Sequence, residues 1–408
     1  MTDTTDIPDP TDSPDTTASP HAPVLIVGGG LGGLTTARVL QLHGFAVTVL
    51  ELEPDRHGRT QGGMLDIHDE TGQKALRTAR LHEKFLTRIH QGGEAMRILD
   101  KHATVLRDDL DSGALERAEI DRGSLRELLL DSLDVGTVRW GSKVIAVRPV
   151  DGQFGRHEVE LSDGSRLSTD LLVGADGAWS KVRPLLSDAT PEYSGISFIE
   201  VDLDNADVDH PEQSAVMGEG MLFALGGSTG ILGHKESDGS LHVYAGHRAP
   251  ENWVDTIDFT DVEAAKTAVL ELLDGWGEAL RGMIIHADSA PIPRRIHALP
   301  VGHSWDRMPG VTLLGDAAHV MSPFGGEGAN LAMYDGAELA LSLANHPGDV
   351  ESALARYEAA MFSRSAELAQ GSADNLEMIF APDAPRGLVE LFASFDEEDF
   401  SRIPSAAQ

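Results

Sequence analysis

One succession of elements near the start of the chain restricts its possible folds more than any other feature. Val24–Val27 is a short apolar run of the type found in buried parallel strands. Residues 28–33 form a glycine-rich loop, residues 34–40 carry apolar side chains at helical spacing, and residues 46–50 form a second apolar run. A strand, a helix and a second strand in this order form a βαβ unit, which belongs to a parallel sheet. The sequence therefore predicts an α/β fold.

The glycine loop matches the pattern G-x-G-x-x-G at Gly28, Gly30 and Gly33. In that pattern the first glycine makes the tight turn, the second lets the backbone approach a pyrophosphate, and the third allows close packing of the helix. The helix that begins there offers free N–H groups and the positive end of its dipole to the phosphates. Glu51 ends the second strand, where a carboxylate can bind both ribose hydroxyls. These features predict a dinucleotide site but do not distinguish NAD from FAD.

Two further short motifs follow apolar runs of the strand type later in the chain. Residues 174–177 read Gly-Ala-Asp-Gly, and they place Asp176 just after the run at 171–173. Asp316 occupies the same position after the run at 311–314. We expect the three turns to converge on one extended ligand, and the combination predicts FAD. A simpler interpretation of Asp316, an ordinary helix N-cap, remains open at this point.

The three motifs resemble those of the para-hydroxybenzoate hydroxylase type of FAD-dependent monooxygenase, also called group A. The sequence is similar in particular to the tetracycline-inactivating flavin monooxygenases, from about residue 23 to residue 380. Besides the motifs, residues 62–68, 121–126, 179–183 and 315–328 carry the resemblance. It implies a Rossmann-type FAD-binding domain with an inserted antiparallel-sheet substrate domain and a long C-terminal helix. FAD would be bound, and NAD(P)H would visit transiently without a Rossmann fold of its own.

Composition and patterning suggest how the chain is divided. Residues 1–21 are rich in aspartate and nearly free of apolar side chains, so we expect them to be disordered. Alternating residues between 191 and 290 predict an antiparallel sheet with one helix at about 261–275. An amphipathic helix is predicted at 120–134, with Asp121 as its cap. The expected units are a disordered acidic tail (1–21), a discontinuous FAD-binding domain (22–190 and 290–345), a substrate-binding sheet domain (191–289) and a bridging helix (350–380).

The resemblance assigns roles to individual residues. It places Glu51 on the adenosine ribose, and Asp316 on the ribityl chain or the pyrophosphate. Asp66 and Arg122 would lie at the flavin end of FAD, although a surface ion pair is the simpler interpretation of Arg122. Arg59 lies at a position associated with NADPH in the tetracycline group. The implied cofactor-binding set is Gly28, Gly30, Gly33, Glu51, Asp66, Arg122, Asp176, Asp316, Pro323, Gly326 and Gly328.

Four residues are assigned to the substrate, namely Glu200, Phe223, His242 and Tyr244. His242 matches a histidine that contacts the substrate in the tetracycline group, and Phe223 and Tyr244 would make the pocket aromatic. Glu200 and Gly220 stand where a glutamine and an arginine are usual in that group. These two differences predict a less cationic pocket and a substrate other than tetracycline itself.

The implied activity is that of an FAD-dependent monooxygenase that uses NAD(P)H and O2. It would hydroxylate a polycyclic aromatic or enolic small molecule, such as a polyketide or a tetracycline-like compound, through a flavin C4a-hydroperoxide. No residue is assigned as catalytic, because the cofactor carries the difficult chemistry. Two alternatives remain open, a flavin-dependent oxidoreductase that transfers hydride without inserting oxygen and a flavin-carrying protein that only binds its ligand.

Composition excludes several other classes of function. The formal net charge of -34 argues against nucleic acid or an anionic membrane as a partner. No apolar run approaches the roughly 18 residues of a membrane span, and no secretory signal is predicted. Cysteine is absent and the histidines lack the spacing of a metal site, so we expect no metal and a cytoplasmic location. The expected partners are the small-molecule substrate and O2, and a monomer is favoured.

Overall fold

The computed structural model describes residues 23–58 and 63–402, and it describes the side chains of the last helix as far as residue 395. The predicted acidic tail at 1–21 lies outside the described residues. The strands are β1 (Val24–Val27), β2 (Val47–Leu50), β3 (Met64–His68), β4 (Met96–Asp100), β5 (Val105–Asp109), β6 (Arg117–Asp121), β7 (Val138–Arg139), β8 (Val144–Pro149), β9 (His157–Leu161), β10 (Arg166–Thr169), β11 (Leu172–Gly174), β12 (Glu192–Leu203), β13 (Met221–Gly226), β14 (Thr229–Lys235), β15 (Leu241–Arg248), β16 (Ile292–Ala298) and β17 (Val311–Leu313). The α-helices are α1 (Leu31–Leu42), α2 (Lys74–Thr78), α3 (His82–Leu86), α4 (Arg122–Leu130), α5 (Ala206–Asp209), α6 (Pro211–Met217), α7 (Val262–Leu272), α8 (Glu278–Ile285), α9 (Asp316–His319), α10 (Glu327–Asn345), α11 (Val350–Ile379) and α12 (Arg386–Arg402).

A parallel sheet carries the three motifs at one edge. Its strands lie in the order β17-β11-β1-β2-β7, and each neighbouring pair is parallel. The carboxyl ends of β1, β11 and β17 therefore lie side by side, together with the turns that follow them. The amide of Ala175 donates to the carbonyl of Val27 (2.8 Å), and that of Leu314 donates to Gly174 (3.0 Å). These backbone hydrogen bonds join the ends of the three strands.

Helices α1 and α10 cross at very short range beside this sheet. A Cβ atom on Gly32 would lie 2.7 Å from the carbonyl oxygen of Ala332, and one on Gly336 would lie 2.6 Å from that of Gly32. Side chains at these two positions would force the helices apart, because packed interiors leave no room for an added methyl group. The glycines therefore fix the first turns of α10 next to the beginning of α1.

A second large sheet has the strand order β16-β12-β15-β14-β13-β4-β5. Its neighbours are antiparallel except for β13 and β4, which run parallel. One face packs against α7 and α8, with Val269 and Leu280 in a common apolar cluster with Val243. The opposite face carries the predicted substrate residues. The sheet includes strands from outside 191–289, namely β4, β5 and β16, because strand pairing joins segments far apart in sequence.

Two predicted helices have different limits in the structure. The helix expected at 120–134 begins only at Arg122, because residues 117–121 form β6. Asp121 occupies the N-cap position but its side chain forms no cap hydrogen bond; it accepts one from the Ser237 hydroxyl at 2.6 Å. The helix expected at 261–275 is α7, which ends earlier, at Leu272. The chain then turns at Gly275 (φ +73°), and α8 follows.

The long helix expected at 350–380 is α11, and it contacts elements of both sheets. The Tyr357 hydroxyl donates to the carbonyl of Leu313 in β17 at 2.9 Å, and Arg364 donates to Asp335 of α10 at 2.7 Å. Leu376 and Ile379 pack in one apolar cluster with Phe198 of β12. Helix α12 follows it and lies beyond the predicted elements. Within the described ranges, none of the helices is both long enough and apolar enough to cross a membrane.

Candidate cofactor and substrate site

The glycine loop after β1 has contacts that explain each glycine. A Cβ on Gly28 (φ +109°) would lie 2.2 Å from the carbonyl oxygen of Ala175, and one on Gly33 would lie 2.1 Å from that of Gly28. Gly30 differs, because a Cβ there would have no protein atom within 4 Å. Gly30 is also the N-cap of α1, without any side-chain cap hydrogen bond. The loop is therefore tight on its inner side and open at the helix N-terminus, as an anion site requires.

The carboxylate of Glu51 is held against this loop. One oxygen accepts a hydrogen bond from the amide of Gly29 (2.7 Å), and the other accepts one from the amide of Glu53 (3.0 Å). Arg126 is buried beside it and donates to the carbonyl oxygens of Gly29 (3.3 Å) and Arg56 (3.0 Å). A carboxylate has more acceptor capacity than two hydrogen bonds use, so Glu51 can still accept a ribose hydroxyl. The sequence motif did not single out Arg126, which secures the loop from its other side.

Asp176 has both carboxylate oxygens engaged within its own turn. They accept the Ser180 hydroxyl and the amide of Lys181, each at 2.6 Å. Burial raises the pKa of Asp176. The buried Arg183 then joins this turn to the third motif, because its guanidinium donates to the carbonyls of Ala178 (2.6 Å) and Ala317 (3.1 Å). The structure thus places Asp176 at the groove as a residue that shapes the turn.

Asp316 lies on an open, concave part of the surface. Its side chain is exposed, yet desolvation by the surrounding protein raises its pKa, a combination that indicates a concave surface. One carboxylate oxygen lies 4.0 Å from the position that a Cβ on Gly328 would take. The N-cap of the short helix α9 is Gly315, so Asp316 is not the cap residue that the simpler interpretation requires. Asp316 is therefore free to contact a ligand in the cleft.

A network centred on the fully buried Asp335 supports the Asp316 turn. The carboxylate of Asp335 accepts the amide of Gly315 (3.2 Å) and the guanidinium of Arg364 (2.7 Å), and lies 2.6 Å from Nε2 of His319. Although burial opposes ionisation, His319 and Arg364 hold the pKa of Asp335 below its usual value. Although burial also opposes the imidazolium, Asp335 raises the pKa of His319. The network is an ion cluster that fixes the turn after β17.

Asp66 and the turn before α10 lie together. The Asp66 carboxylate lies 2.8 Å from the position that a Cβ on Gly326 would take, and the amide of Gly326 donates to the carbonyl of Pro323 (3.1 Å). Asn330, fully buried in α10, donates to the carbonyls of Asp66 (2.8 Å) and Gly326 (2.9 Å) and accepts the amide of His68 (2.9 Å). Sequence reasoning missed Asn330, which joins the two segments.

Arg122 connects the cofactor side of the cleft to the substrate side. It is exposed at the start of α4, and its charge acts on both Asp316 and Tyr244. The hydroxyl of Tyr244 lies 3.8 Å from the position that a Cβ on Gly63 would take. The structure thus brings Arg122, Asp316 and Tyr244 into one region. Arg59, the predicted NADPH residue, lies outside the described residues.

All four predicted substrate residues share one face of the second sheet. Glu200 pairs with Tyr244, Tyr244 with Leu232, and Leu232 with Phe223, so these side chains form one row across β12, β15, β14 and β13. His242 belongs to the next row, two residues along β15. This face lies next to the start of β3, because Tyr244 is near Gly63, and next to the turn before α10, because Phe198 is near Phe324.

The differences from the tetracycline group have physical reasons. Glu200 forms an ion pair with Arg294 at 3.0 Å, so its charge is offset locally. A Cβ on Gly220 would lie 2.1 Å from the carbonyl oxygen of Ala95, so no side chain fits there. An arginine at position 220 is therefore incompatible with this packing, and this supports the expectation of a less cationic pocket.

The second row contains two histidines in different states. Nδ1 of His242 lies 2.5 Å from Asp202; burial opposes protonation, but this carboxylate raises the pKa of His242. Burial lowers the pKa of His234, its cross-strand neighbour, to about 4. The ring of Tyr244 lies edge-on to His242 at 4.6 Å, and burial raises the Tyr244 pKa. The face thus presents two histidines whose pKa values are shifted in opposite directions, next to a phenol whose pKa is raised.

Aromatic rings connect this face to the turn before α10. Phe198 lies 5.5 Å from Tyr244 and 5.8 Å from Phe324, measured between ring centroids. Phe324 in turn lies 5.5 Å from Phe380 at the end of α11. Edge-to-face and tilted rings at these distances form a stable apolar wall. The cleft therefore has a polar cofactor side and an aromatic end.

Together, the glycine loop, the two aspartate turns and the facing sheet form the site of an FAD-binding protein. The chain belongs to the FAD binding domain family, whose match covers residues 21–372. Monooxygenase penA from Penicillium thymicola is 30% identical to it over 366 residues, which are 78% of this chain and 84% of that protein.

Solved structures show the same fold. HpxO from Klebsiella pneumoniae, complexed with FAD and uric acid, superposes with a TM-score of 0.76 at 20% identity and covers 93% of this chain and 94% of its own. Tetracycline destructase Tet(51) superposes with a TM-score of 0.69 at 18% identity, over 95% of this chain and 99% of its own. At these identities the structures support the fold alone. The predicted α/β fold is confirmed by these structures. The family resemblance, FAD with NAD(P)H as electron donor, and the monooxygenase class are confirmed by the family match and the relative.

Proposed function

We propose that this protein hydroxylates a polycyclic aromatic or enolic small molecule, for instance a polyketide, with NAD(P)H and O2. The observation that carries the proposal is the position of Tyr244. It lies in the row of predicted substrate residues, near Gly63 and within the electrostatic reach of Arg122, which also acts on Asp316. A substrate against this row would thus lie next to the predicted flavin end of the cofactor.

FAD fits the groove that the motifs form. Gly30 leaves space for the pyrophosphate at the N-terminus of α1, Glu51 can accept hydrogen bonds from the ribose hydroxyls, and the Asp316 side chain is exposed beside them. We propose that the turn from Pro323 to Gly328 and Asp66 lie beside the flavin ring. When bound, FAD supplies the redox chemistry that transfers one oxygen atom from O2.

The chain itself supplies position and a dry environment. Tyr244, Phe198 and Phe324 offer an apolar wall for a flat ring system. His242, held by Asp202 through Nδ1, can donate a hydrogen bond from Nε2 to a phenolate or enolate oxygen when its ring is protonated. The structure of HpxO with FAD and uric acid is consistent with a small ring compound in a fold of this kind.

We also propose a division of labour between segments. Apart from β4, β5 and β16, residues 22–190 and 290–345 would hold the cofactor; residues 191–289 together with these three strands would hold the substrate, and the helix at 350–380 would bridge the two parts. The contacts of α11 with both sheets, through Tyr357 to Leu313 of β17 and through Leu376 and Ile379 to Phe198 of β12, support that bridging role. Arg59 stays a predicted NADPH residue.

Isotope labelling tests the proposed reaction. The yellow holoenzyme is incubated with NADPH and a panel of polycyclic phenols under ¹⁸O2, and the products are analysed by mass spectrometry. We expect one product to gain a single ¹⁸O atom, with NADPH consumed in equal amount. An oxidised product without ¹⁸O would contradict oxygen insertion and support the hydride-transfer alternative.

A further inference from the structure

A compact ion cluster lies where β3 meets the N-terminus of α10. Nε2 of His68 lies 2.9 Å from the carboxylate of Asp66, and Nδ1 lies 3.4 Å from that of Glu327. Arg117 lies 2.9 Å from both the Asp66 carboxylate and Nε2 of His68. Two carboxylates therefore face one arginine and one histidine. The cluster is neutral when His68 is protonated and carries one net negative charge when His68 is not.

The contacts of His68 favour the protonated form. Burial opposes the charge, but the hydrogen bonds to Asp66 and Glu327 raise the pKa of His68 to about 9. Arg117 lowers it, and Nε2 cannot donate to Asp66 and accept from Arg117 at once. Arg117 still pairs with Asp66 in the protonated state, so each charge retains a partner. Glu119 lies two residues after Arg117 on β6 and is the cross-strand partner of Asp66; burial raises the pKa of Glu119 well above its usual value and so opposes a further negative charge there.

This cluster lies at the helix end that faces the proposed flavin position. Glu327 is the first residue of α10, and the Asp66 carboxylate lies against Gly326 just before it. The N-terminus of a helix carries positive potential, which falls off within its first turn and is reduced by negative charge there. The charge of His68 therefore decides how much of that potential remains at the turn from Pro323 to Gly328.

We propose that His68 is a positioning residue for cofactor reduction: its positive charge offsets Asp66 and Glu327, so that the α10 N-terminus stabilises reduced FAD over oxidised FAD. Hydride transfer from NAD(P)H adds two electrons and one proton to FAD, giving FADH⁻ and NAD(P)⁺. The bound flavin thereby gains one negative charge, and a nearby positive potential favours this state. The inference rests on the proposed flavin position beside Pro323–Gly328.

The test compares the wild-type holoenzyme with His68→Gln, using FAD itself as the probe and no substrate. Dissociation constants of oxidised FAD and the midpoint potential of bound FAD are measured from pH 6 to pH 10. In H68Q we expect the ratio of the dissociation constant of reduced FAD to that of oxidised FAD to be about tenfold higher than in the wild type. This lowers the two-electron potential by about 30 mV. The difference in midpoint potential between the wild type and H68Q should disappear as the pH rises through about 9, because His68 then loses its proton.

Three further variants separate a charge effect from a structural one. His68→Lys should restore the potential, and Glu327→Gln should raise it above the wild-type value, because it removes a negative charge from the same cluster. His43→Gln, at the exposed far end of α1, is the matched control and should change nothing. Equal weakening of both FAD forms in H68Q, with an unchanged potential, would overturn the proposal. Failure of oxygen insertion alone would leave these results intact, so the two proposals fail separately.

Discussion

Replacing Gly30 with serine is expected to weaken FAD binding about 100-fold, or about 2.8 kcal/mol, while the apoprotein remains as stable as the wild type. A Cβ at this position meets no protein atom within 4 Å, and Gly30 is the N-cap of α1 in an extended conformation. Serine is a favourable N-cap residue, so it should not harm the helix. Its side chain would fill the space where we place the pyrophosphate. FAD titration by fluorescence and thermal unfolding of the apoprotein measure the two effects.

The same substitution elsewhere provides the control. Gly371 is exposed on α11 and also has no atom within 4 Å of a built Cβ, so Gly371→Ser should leave FAD binding unchanged. Gly33→Ala should destabilise even the apoprotein, because its Cβ would lie 2.1 Å from the carbonyl oxygen of Gly28. If G30S bound FAD as tightly as the wild type, the pyrophosphate would lie elsewhere.

Replacing Asp335 with alanine is expected to lower the free energy of unfolding by about 3–5 kcal/mol. The change leaves the buried His319 without its carboxylate partner and removes the ion pair of Arg364. It also removes the acceptor of the Gly315 amide at the third motif. Urea unfolding at pH 6 measures the effect. Asp374→Ala, an exposed carboxylate on α11, is the control and should stay within about 0.5 kcal/mol.

The Asp335 effect should depend on pH in a defined way. The folded pKa of Asp335 is lowered, so its contribution is present above the unfolded value near 4 and is lost as the pH falls. The folded pKa of His319 is raised, so its contribution is complete below about 6.5 and is lost as the pH rises through the raised value. The difference between wild type and D335A should therefore be largest between about pH 4 and pH 6.5. A pH-independent difference would contradict the ion-cluster assignment.

The sequence predicted the parallel sheet and its three turns because those features are local. Val24–Val27 is a continuous apolar run. The spacing of the motif indicates that Gly28 makes the tight turn and that Gly33 allows close packing of the helix. Their neighbours in the structure, such as Ala175 against Gly28, follow from the order of the strands. Chain order and strand type were thus sufficient to place the turns side by side.

The partners of the motif residues could not be predicted in the same way. Arg126, Arg183 and Asn330 join segments far apart in the sequence, and an isolated arginine or asparagine gives no periodic signal. Arg126 and Arg183 lie within stretches that carried the family resemblance, which was the available hint. Asn330 follows the third motif closely but is not part of it.

The second sheet shows a similar limit. The alternating pattern of β15 is a local signal that places His242 and Tyr244 on one face, since every second side chain of a strand points the same way. The addition of β4 beside β13 depends on a pairing across more than a hundred residues, and no local pattern encodes it. The sequence contains a glycine at position 275, between α7 and α8, but only the tertiary structure shows that the chain turns there.

A crystal structure of the yellow holoenzyme is the most direct test of the whole account. We predict that electron density for FAD extends from Gly30 and Glu51, past Asp316, to a flavin ring between Asp66 and Tyr244. Density that left Asp316 without a cofactor contact, or that placed the ring away from the face carrying Tyr244, would contradict both the site and the function proposed for it.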